Sequence, residues 1–167
     1  MKKIILLSHL LVAVIVLVSC GAGPEYLRSL HNDYTTPGFL NPDLYQAVIT
    51  GTPDENVRGL VARRESARMN ALPRVKEHVI RELYTEWKTS RGSHLEGIPE
   101  ENYRKDVMGK LADFVDRGCV VEKYYNRDHS ISVVYRIHAG NLRDKIFSIQ
   151  VPGEPTGKGE DKDATSS

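Results

Sequence analysis

The sequence predicts an α+β fold: a small antiparallel sheet of about three strands, covered on one face by a long kinked helix and a second helix, in the order β-α-α-β-β-α. Three observations predict it. A strand-like alternation ends at Gly51, a helical periodicity runs from residue 53 to about residue 90, and two alternating segments within residues 119–138 flank a polar turn. We therefore expect one core between the helices and one face of the sheet.

The first strand is predicted in DLYQAVITG, where alternate residues from Tyr45 to Ile49 share one side. Directly after it, Thr52, Pro53 and Glu55 form a capping box, with proline at a position where its missing N–H has no cost. The long helix should therefore begin at Pro53.

The apolar residues of this helix recur at spacings of three, four and seven or eight, and we expect them in the core: Val57, Leu60, Val61, Met69, Leu72, Val75, Val79, Leu83 and Trp87. Pro73 removes one helical hydrogen bond, so a kink or break is expected there. The basic residues fall largely between the apolar ones. Arg63, Arg64 and Arg68 among them are either a solvated face or a surface for an anionic partner.

The second helix should begin at Pro99, with acidic residues in its first turn, and end at Gly118. CVVEKYY and ISVVYRIHA then form a hairpin around NRDHS. The register of its first strand stays open, because a one-residue slip exchanges the faces. The inward residues are accordingly either Cys119 and Val121 or Val120 and Glu122. A last short helix is expected from Asn141, with three inward residues: Leu142, Ile146 and Ile149.

Residues 1–19 have the layout of a signal peptide. The basic pair Lys2-Lys3 precedes 15 residues, from Ile4 to Val18, that are interrupted by only two polar side chains. A membrane-spanning helix needs roughly 20 apolar residues, so a single-pass anchor is the weaker interpretation.

The rest of the chain divides into three parts. We expect residues 20–42 to be a tether, because Gly-Pro, Pro-Gly and Asn-Pro pairs interrupt any period, although its aromatic and leucine side chains could dock on the domain. The domain should span residues 43–151. Residues 152–167 have no aliphatic side chain larger than alanine and should be disordered.

Cys20 ends the apolar stretch and could be a core thiol, a redox or metal-binding residue, or a covalent attachment point. Leu17-Val18-Ser19-Cys20 resembles the bacterial lipobox. In such precursors the cysteine is diacylated, the signal is cut before it and the new amino terminus is acylated, and two or three chains hold a protein firmly. The resemblance implies lipidation of Cys20, and Gly21 favours the outer membrane over inner-membrane retention. An uncleaved signal anchor is the alternative.

Loss of Lys2 and Lys3 with the signal lowers the basic count from 23 to 21, against 22 acidic residues. This near-neutral balance gives no reason to expect nucleic-acid binding. The sequence has no phosphate-cradling motif and no histidine pair with zinc-ligand spacing. We expect no cofactor, no metal and no catalytic residue.

If Cys20 is lipidated, Cys119 is the remaining cysteine and an intramolecular disulfide is excluded. A small buried hydrophobe is its ordinary role, with a reactive or intermolecular thiol as the alternative. His138 across the hairpin could form a Cys-His pair, but nothing in the sequence supplies an orienting group or an oxyanion site.

The segments AVITG, NVRGLVARRESARMNAL, GCVVEKYYNRDHSISVVYRI and NLRDKI resemble the LPP20 family of bacterial lipoproteins, and the same pattern is similar to the N-terminal domain of the flagellar assembly protein FlgT. The resemblance covers roughly residues 43–150 and the lipobox. It implies an envelope lipoprotein without established enzymatic activity, and it transfers only Cys20 as a functional position.

The expected function is a lipid-anchored, non-catalytic structural or interaction module of the envelope, at the outer membrane and facing either the periplasm or the cell surface. An association with the flagellum is its more specific form. A small-ligand or surface-binding module is the second hypothesis, and it requires an apolar pocket between helices and sheet that is large enough for a ligand. An enzyme using Cys119 is the third.

Overall fold

The computed structural model describes residues 23–151 of the chain. Its helices are α1 (Pro24–Ser29), α2 (Leu60–Ala71), α3 (Val75–Arg91), α4 (Arg104–Val115) and α5 (Leu142–Phe147), and its strands are β1 (Gly38–Asn41), β2 (Leu44–Gly51), β3 (Cys119–Tyr125) and β4 (Ile131–His138). Short 3-10 turns occupy Leu72–Arg74, Gly92–Leu95 and Glu100–Asn102. The predicted α+β fold class is confirmed.

The four strands form one antiparallel sheet in the order β1-β2-β4-β3. β2 and β4 pair along their whole length, so that Tyr45 lies opposite Ile137 and Gln46 lies opposite Arg136. The sheet has one strand more than the sequence analysis expected. This strand, β1, lies within residues 20–42, which were expected to be a tether.

The first face of the sheet carries the main core. Alternate residues of β2 and β4 point into it, as the strand periodicity predicts. The facing helical residues are Val75, Val79, Leu83 and Trp87 of α3, Val107, Leu111 and Val115 of α4, and Leu142 and Ile146 of α5. The indole N–H of Trp87 donates to the Ile149 carbonyl at 3.2 Å. This bond fixes the end of the domain against α3.

The long helix breaks at Pro73, as expected, because a 3-10 turn separates α2 from α3. Its predicted start is wrong: α2 begins at Leu60, after Gly59 with a φ of 85°. The capping box of Thr52 and Glu55 does not form, because residues 53–59 are not helical. In this loop Asp54 accepts hydrogen bonds from Ser66 Oγ (2.8 Å) and Asn70 Nδ2 (2.9 Å). These bonds hold the preceding loop along the side of α2.

α2 also presents a different face from the one that its apolar periodicity predicts. Ala67 and Ala71 are buried, whereas Leu60, Val61 and Met69 are exposed. Gly51, at the end of β2, is the cause: a side chain there would collide with the backbone of Ala67 and the methyl group of Ala71. Small residues on both sides bring the helix close to the sheet and turn its larger apolar residues outward.

Neither predicted inward set of β3 is correct. A bulge between Val120 and Glu122 interrupts the alternation. Val120 packs on the first face, while Cys119 and Val121 pack on the second. The sheet therefore has a second, smaller apolar cluster on the face that was expected to be open.

The N-terminal segment, residues 23–36, covers this second face. A free tether is therefore wrong for residues 23–42, and the alternative, docking of the aromatic and leucine side chains on the domain, is correct. Leu27 is fully buried against Val121 and Val134, with Leu30 and Tyr34 packed around them. The apolar side chains spaced between the turn residues explain the difference, because they bury enough surface on the sheet to order the segment. Residues 20–22 and the predicted disordered tail at 152–167 lie outside the described residues.

Arg136 of β4 is fully buried beneath this segment. Its guanidinium donates to the carbonyls of Leu27 (2.8 Å), Arg28 (3.2 Å) and Asp33 (2.6 Å), and to Gln46 Oε1 at 2.8 Å. The Tyr34 ring also stacks on it, with its centroid 4.7 Å from the guanidinium carbon. Burial lowers the pKa of Arg136 from its ordinary value, yet an arginine remains charged in proteins.

Substitution Arg136→Met should lower the free energy of unfolding by about 3 kcal/mol, because it leaves several buried carbonyl oxygens without a donor. Urea unfolding of the full chain measures the change, and trypsin should cut after Arg28 faster than in wild type. Arg127→Met, at an exposed position in the hairpin turn, is the control and should change stability by less than about 0.5 kcal/mol. Unchanged stability, or a loss without faster cleavage, would contradict the assigned role.

Candidate interaction surfaces

The folded domain begins almost directly after the predicted lipidation residue. Cys20 itself lies outside the described residues, which start three positions later at Gly23. α1 follows at once, and Leu27 is already buried.

Four of the five large hydrophobic side chains that residues 23–151 expose lie on α2 and the end of β3: Leu60, Val61, Met69 and Tyr125. Val61 is the most exposed of them, at 80 %. We call this area, together with Arg64 and Arg68, the α2 surface. Exposed apolar groups concentrated on one element are typical of an interaction site.

The three arginines named in the sequence analysis differ in their contacts and in their exposure. Arg64 stacks on Tyr125, with its guanidinium carbon 5.0 Å from the ring centroid. Arg68 forms two hydrogen bonds to the Glu65 carboxylate, at 2.8 and 2.5 Å, which offset part of its charge. Arg63 is less exposed and lies about 100° around the helix from Arg64, at the margin of the α2 surface.

The α2 surface and α1 contact different parts of the sheet. Tyr125, which contacts α2, pairs with Ile131 at the start of β4. Tyr26 of α1 instead contacts His138, at the end of β4, with ring centroids 5.6 Å apart. The two helices also cover opposite faces of the sheet.

A groove of about 620 Å³ opens between α3 and the start of β1. We call it the α3 groove. Its lining consists of Pro37, Gly38, Tyr45, His78, Arg81, Glu82, Thr85 and Glu86. The volume is within the range of small-ligand pockets. Most of its lining residues are polar or charged, unlike those of the apolar pocket that the ligand-binding hypothesis requires.

Two carboxylates one helical turn apart dominate the α3 groove. Glu82 accepts a hydrogen bond from His78 Nε2 at 3.0 Å, and Glu86 accepts one from the Tyr45 hydroxyl at 3.4 Å. Burial raises the pKa of Glu86, and the charge of Glu82 adds to this effect. Burial and both carboxylates also raise the pKa of Tyr45, which keeps its hydroxyl protonated.

Cys119 packs beside Leu27, Val121 and Val134, and burial raises the pKa of its thiol. His138 lies on the same face of the sheet, but its ring contacts Tyr26, and no hydrogen bond joins it to Cys119 within the described part of the chain. A raised pKa reduces the thiolate fraction at neutral pH. The geometry thus matches the role of a small buried hydrophobe.

Residues 23–151 contain no group of three or more His, Cys, Asp or Glu side chains that could hold a metal ion. In the same residues, no helix has both the length and the apolar character needed to span a membrane.

Sequence reasoning missed the α3 groove because its walls come from segments far apart in the chain. The spacing of His78, Glu82 and Glu86 was a visible signal, since residues four apart share one face of a helix. The contribution of Tyr45 depends on the packing of β2 under α3 and had no local signal. The α2 surface was missed because its apolar residues were assigned to the core.

Comparisons with family models, curated proteins and solved structures find no match for this chain. The resemblance to the LPP20 family therefore stays a prediction.

The folded full chain should react slowly with iodoacetamide at Cys119 at neutral pH, because the thiol is partly buried and its pKa is raised. Mass spectrometry of the alkylated protein measures the rate. The same chain unfolded in urea is the control and should react at least about tenfold faster. Equal rates in the two states would restore the reactive-thiol hypothesis.

Proposed function

We propose that the protein is a lipid-anchored component of the bacterial cell envelope, held at the outer membrane through Cys20, and that it acts by binding a partner rather than by catalysis. The observation that carries this proposal is the lipobox-like Leu17-Val18-Ser19-Cys20. Acyl chains on Cys20 would supply the membrane affinity, since each buried methylene contributes about 0.8 kcal/mol.

The α2 surface supports binding to an envelope protein. Its exposed apolar side chains offer area for burial, and Arg64 and Arg68 offer positive charge at the edge of that area. A partner with acidic groups around an apolar patch would complement it. A protein partner fits this surface better than membrane headgroups, because its most exposed side chains are apolar. The FlgT resemblance favours a partner near the flagellar apparatus.

A small-ligand-binding module is the second candidate function. The α3 groove favours it, because the groove combines a suitable volume with convergent polar groups. The two candidates use different surfaces of the chain, so they can be tested separately.

In cells labelled with radioactive palmitate, the wild-type chain should carry label and Cys20→Ala should carry none, because the acyl chains require this thiol. Autoradiography of the immunoprecipitated protein measures incorporation, and membrane fractionation should place wild type with the outer membrane. Cys119→Ala is the matched control and should keep the label. An unlabelled wild type, or equal labelling of Cys20→Ala, would end the anchoring proposal.

A photo-crosslinking amino acid at position 61 should capture one defined protein in cells, because Val61 is the most exposed residue of the α2 surface. The double substitution Arg64→Glu and Arg68→Glu should reduce that adduct severalfold by charge repulsion. The same crosslinker at Lys105, an exposed residue of α4, is the control and should not give this adduct. Capture of phospholipid alone, or an adduct insensitive to charge reversal, would contradict the proposed protein partner.

A further inference from the structure

The α3 groove has an unbalanced set of hydrogen-bonding groups. Glu82 Oε2 has no solvent-exposed surface and accepts no hydrogen bond from the described residues. A buried carboxylate oxygen without a donor is unfavourable. Glu82 as a whole is about one-third exposed and lines the groove, so its carboxylate adds negative charge there.

Glu86 adds a second acceptor one turn along α3. It is half-buried, and its only hydrogen bond from the described residues is the long one, 3.4 Å, from the Tyr45 hydroxyl. Thr85 lies between the two glutamates and donates its hydroxyl to the Arg81 carbonyl at 2.9 Å. The Thr85 oxygen is therefore left as an acceptor. Residues 82, 85 and 86 share one face of the helix and converge on the groove.

The cationic side chains nearby do not fill this position. Arg81 lines the groove, but its guanidinium is directed to Glu77, with Nη1 3.7 Å from Oε1. Arg143 acts on Glu86 electrostatically, while its guanidinium carbon lies 5.8 Å from the Phe147 ring centroid. His78 already bonds the other oxygen of Glu82. The groove thus keeps acceptors in excess of donors.

We propose that the α3 groove binds a primary alkylammonium group, carried either by a small amine or by a lysine side chain. An ammonium has three donors and no acceptor, which matches Glu82, Thr85 and Glu86. Pro37 lines the groove beside these acceptors and would contact the alkyl stem. An anionic ligand would be repelled by the two carboxylates. This inference deepens the ligand-binding candidate and is independent of the lipid anchor.

Calorimetric titration of the detergent-solubilised full chain tests the proposal with two probes. The first is 1,5-diaminopentane, and the second is N-acetyl-lysine N-methylamide. Both should bind saturably, and the tighter of them identifies the source as a free amine or a protein side chain. The neutral alcohol 1-pentanol, of similar length, should bind at least about tenfold more weakly, because it lacks the charge.

Glu82→Gln and Glu86→Gln keep the shape of the groove and remove one charge each, so each should weaken amine binding about tenfold or more. Glu96→Gln, at an exposed position outside the groove, should bind like wild type. Thr85→Ala is the further variant if one glutamine variant does not fold, and it should also weaken binding. Equal binding of 1-pentanol, no saturable binding of either amine, or wild-type affinity in the folded groove variants would overturn the proposal.

Discussion

The guanidinium of Arg136 joins the N-terminal segment to the sheet, and the covering of the second face by this segment depends on that contact. The buried charge forms no salt bridge with the described residues; carbonyl dipoles, the Tyr34 ring and the charge of the nearby Asp33 carboxylate stabilise it. Those carbonyls can reach one side chain only if residues 27–33 fold back over β4. The Gln46 amide completes the arrangement, because it accepts from Arg136 and donates to the Thr36 carbonyl at 2.8 Å. The bond to Thr36 fixes the chain two positions before β1 begins at Gly38.

This arrangement also affects the α3 groove. The docked segment brings the folded part of the chain to within three positions of Cys20 and continues into the wall of the groove. The α3 groove lies between α3 and the start of β1, and Gly38 pairs with Gln46 in the strand that follows the clamped segment. The wall of the groove at Pro37 therefore depends on the same contacts that hold the N-terminus.

The sequence could predict those parts of the fold in which one local pattern decides the outcome. The hairpin and the buried stripe of α3 from Val75 to Trp87 are of this kind. The sequence could not predict which face of α2 is buried, because both its large apolar residues and its small residues recur with helical spacing. The close approach of α2 to Gly51 requires the small residues at the contact. Arg136 alternates with core residues like any solvent-facing side chain. Arg136 is buried because the N-terminal segment, about 100 positions away in the chain, supplies carbonyl groups that accept its hydrogen bonds. No local sequence pattern indicates such a contact.

The separation between Leu27 and Arg136, 109 positions, has a consequence for the order of events during folding. Contacts that close so long a loop form after local ones, and β4 is also synthesised late. Until β4 has been made, residues 23–36 lack the surface that they later cover. The second face of the sheet should therefore close after the hairpin and the helices have formed their own local contacts.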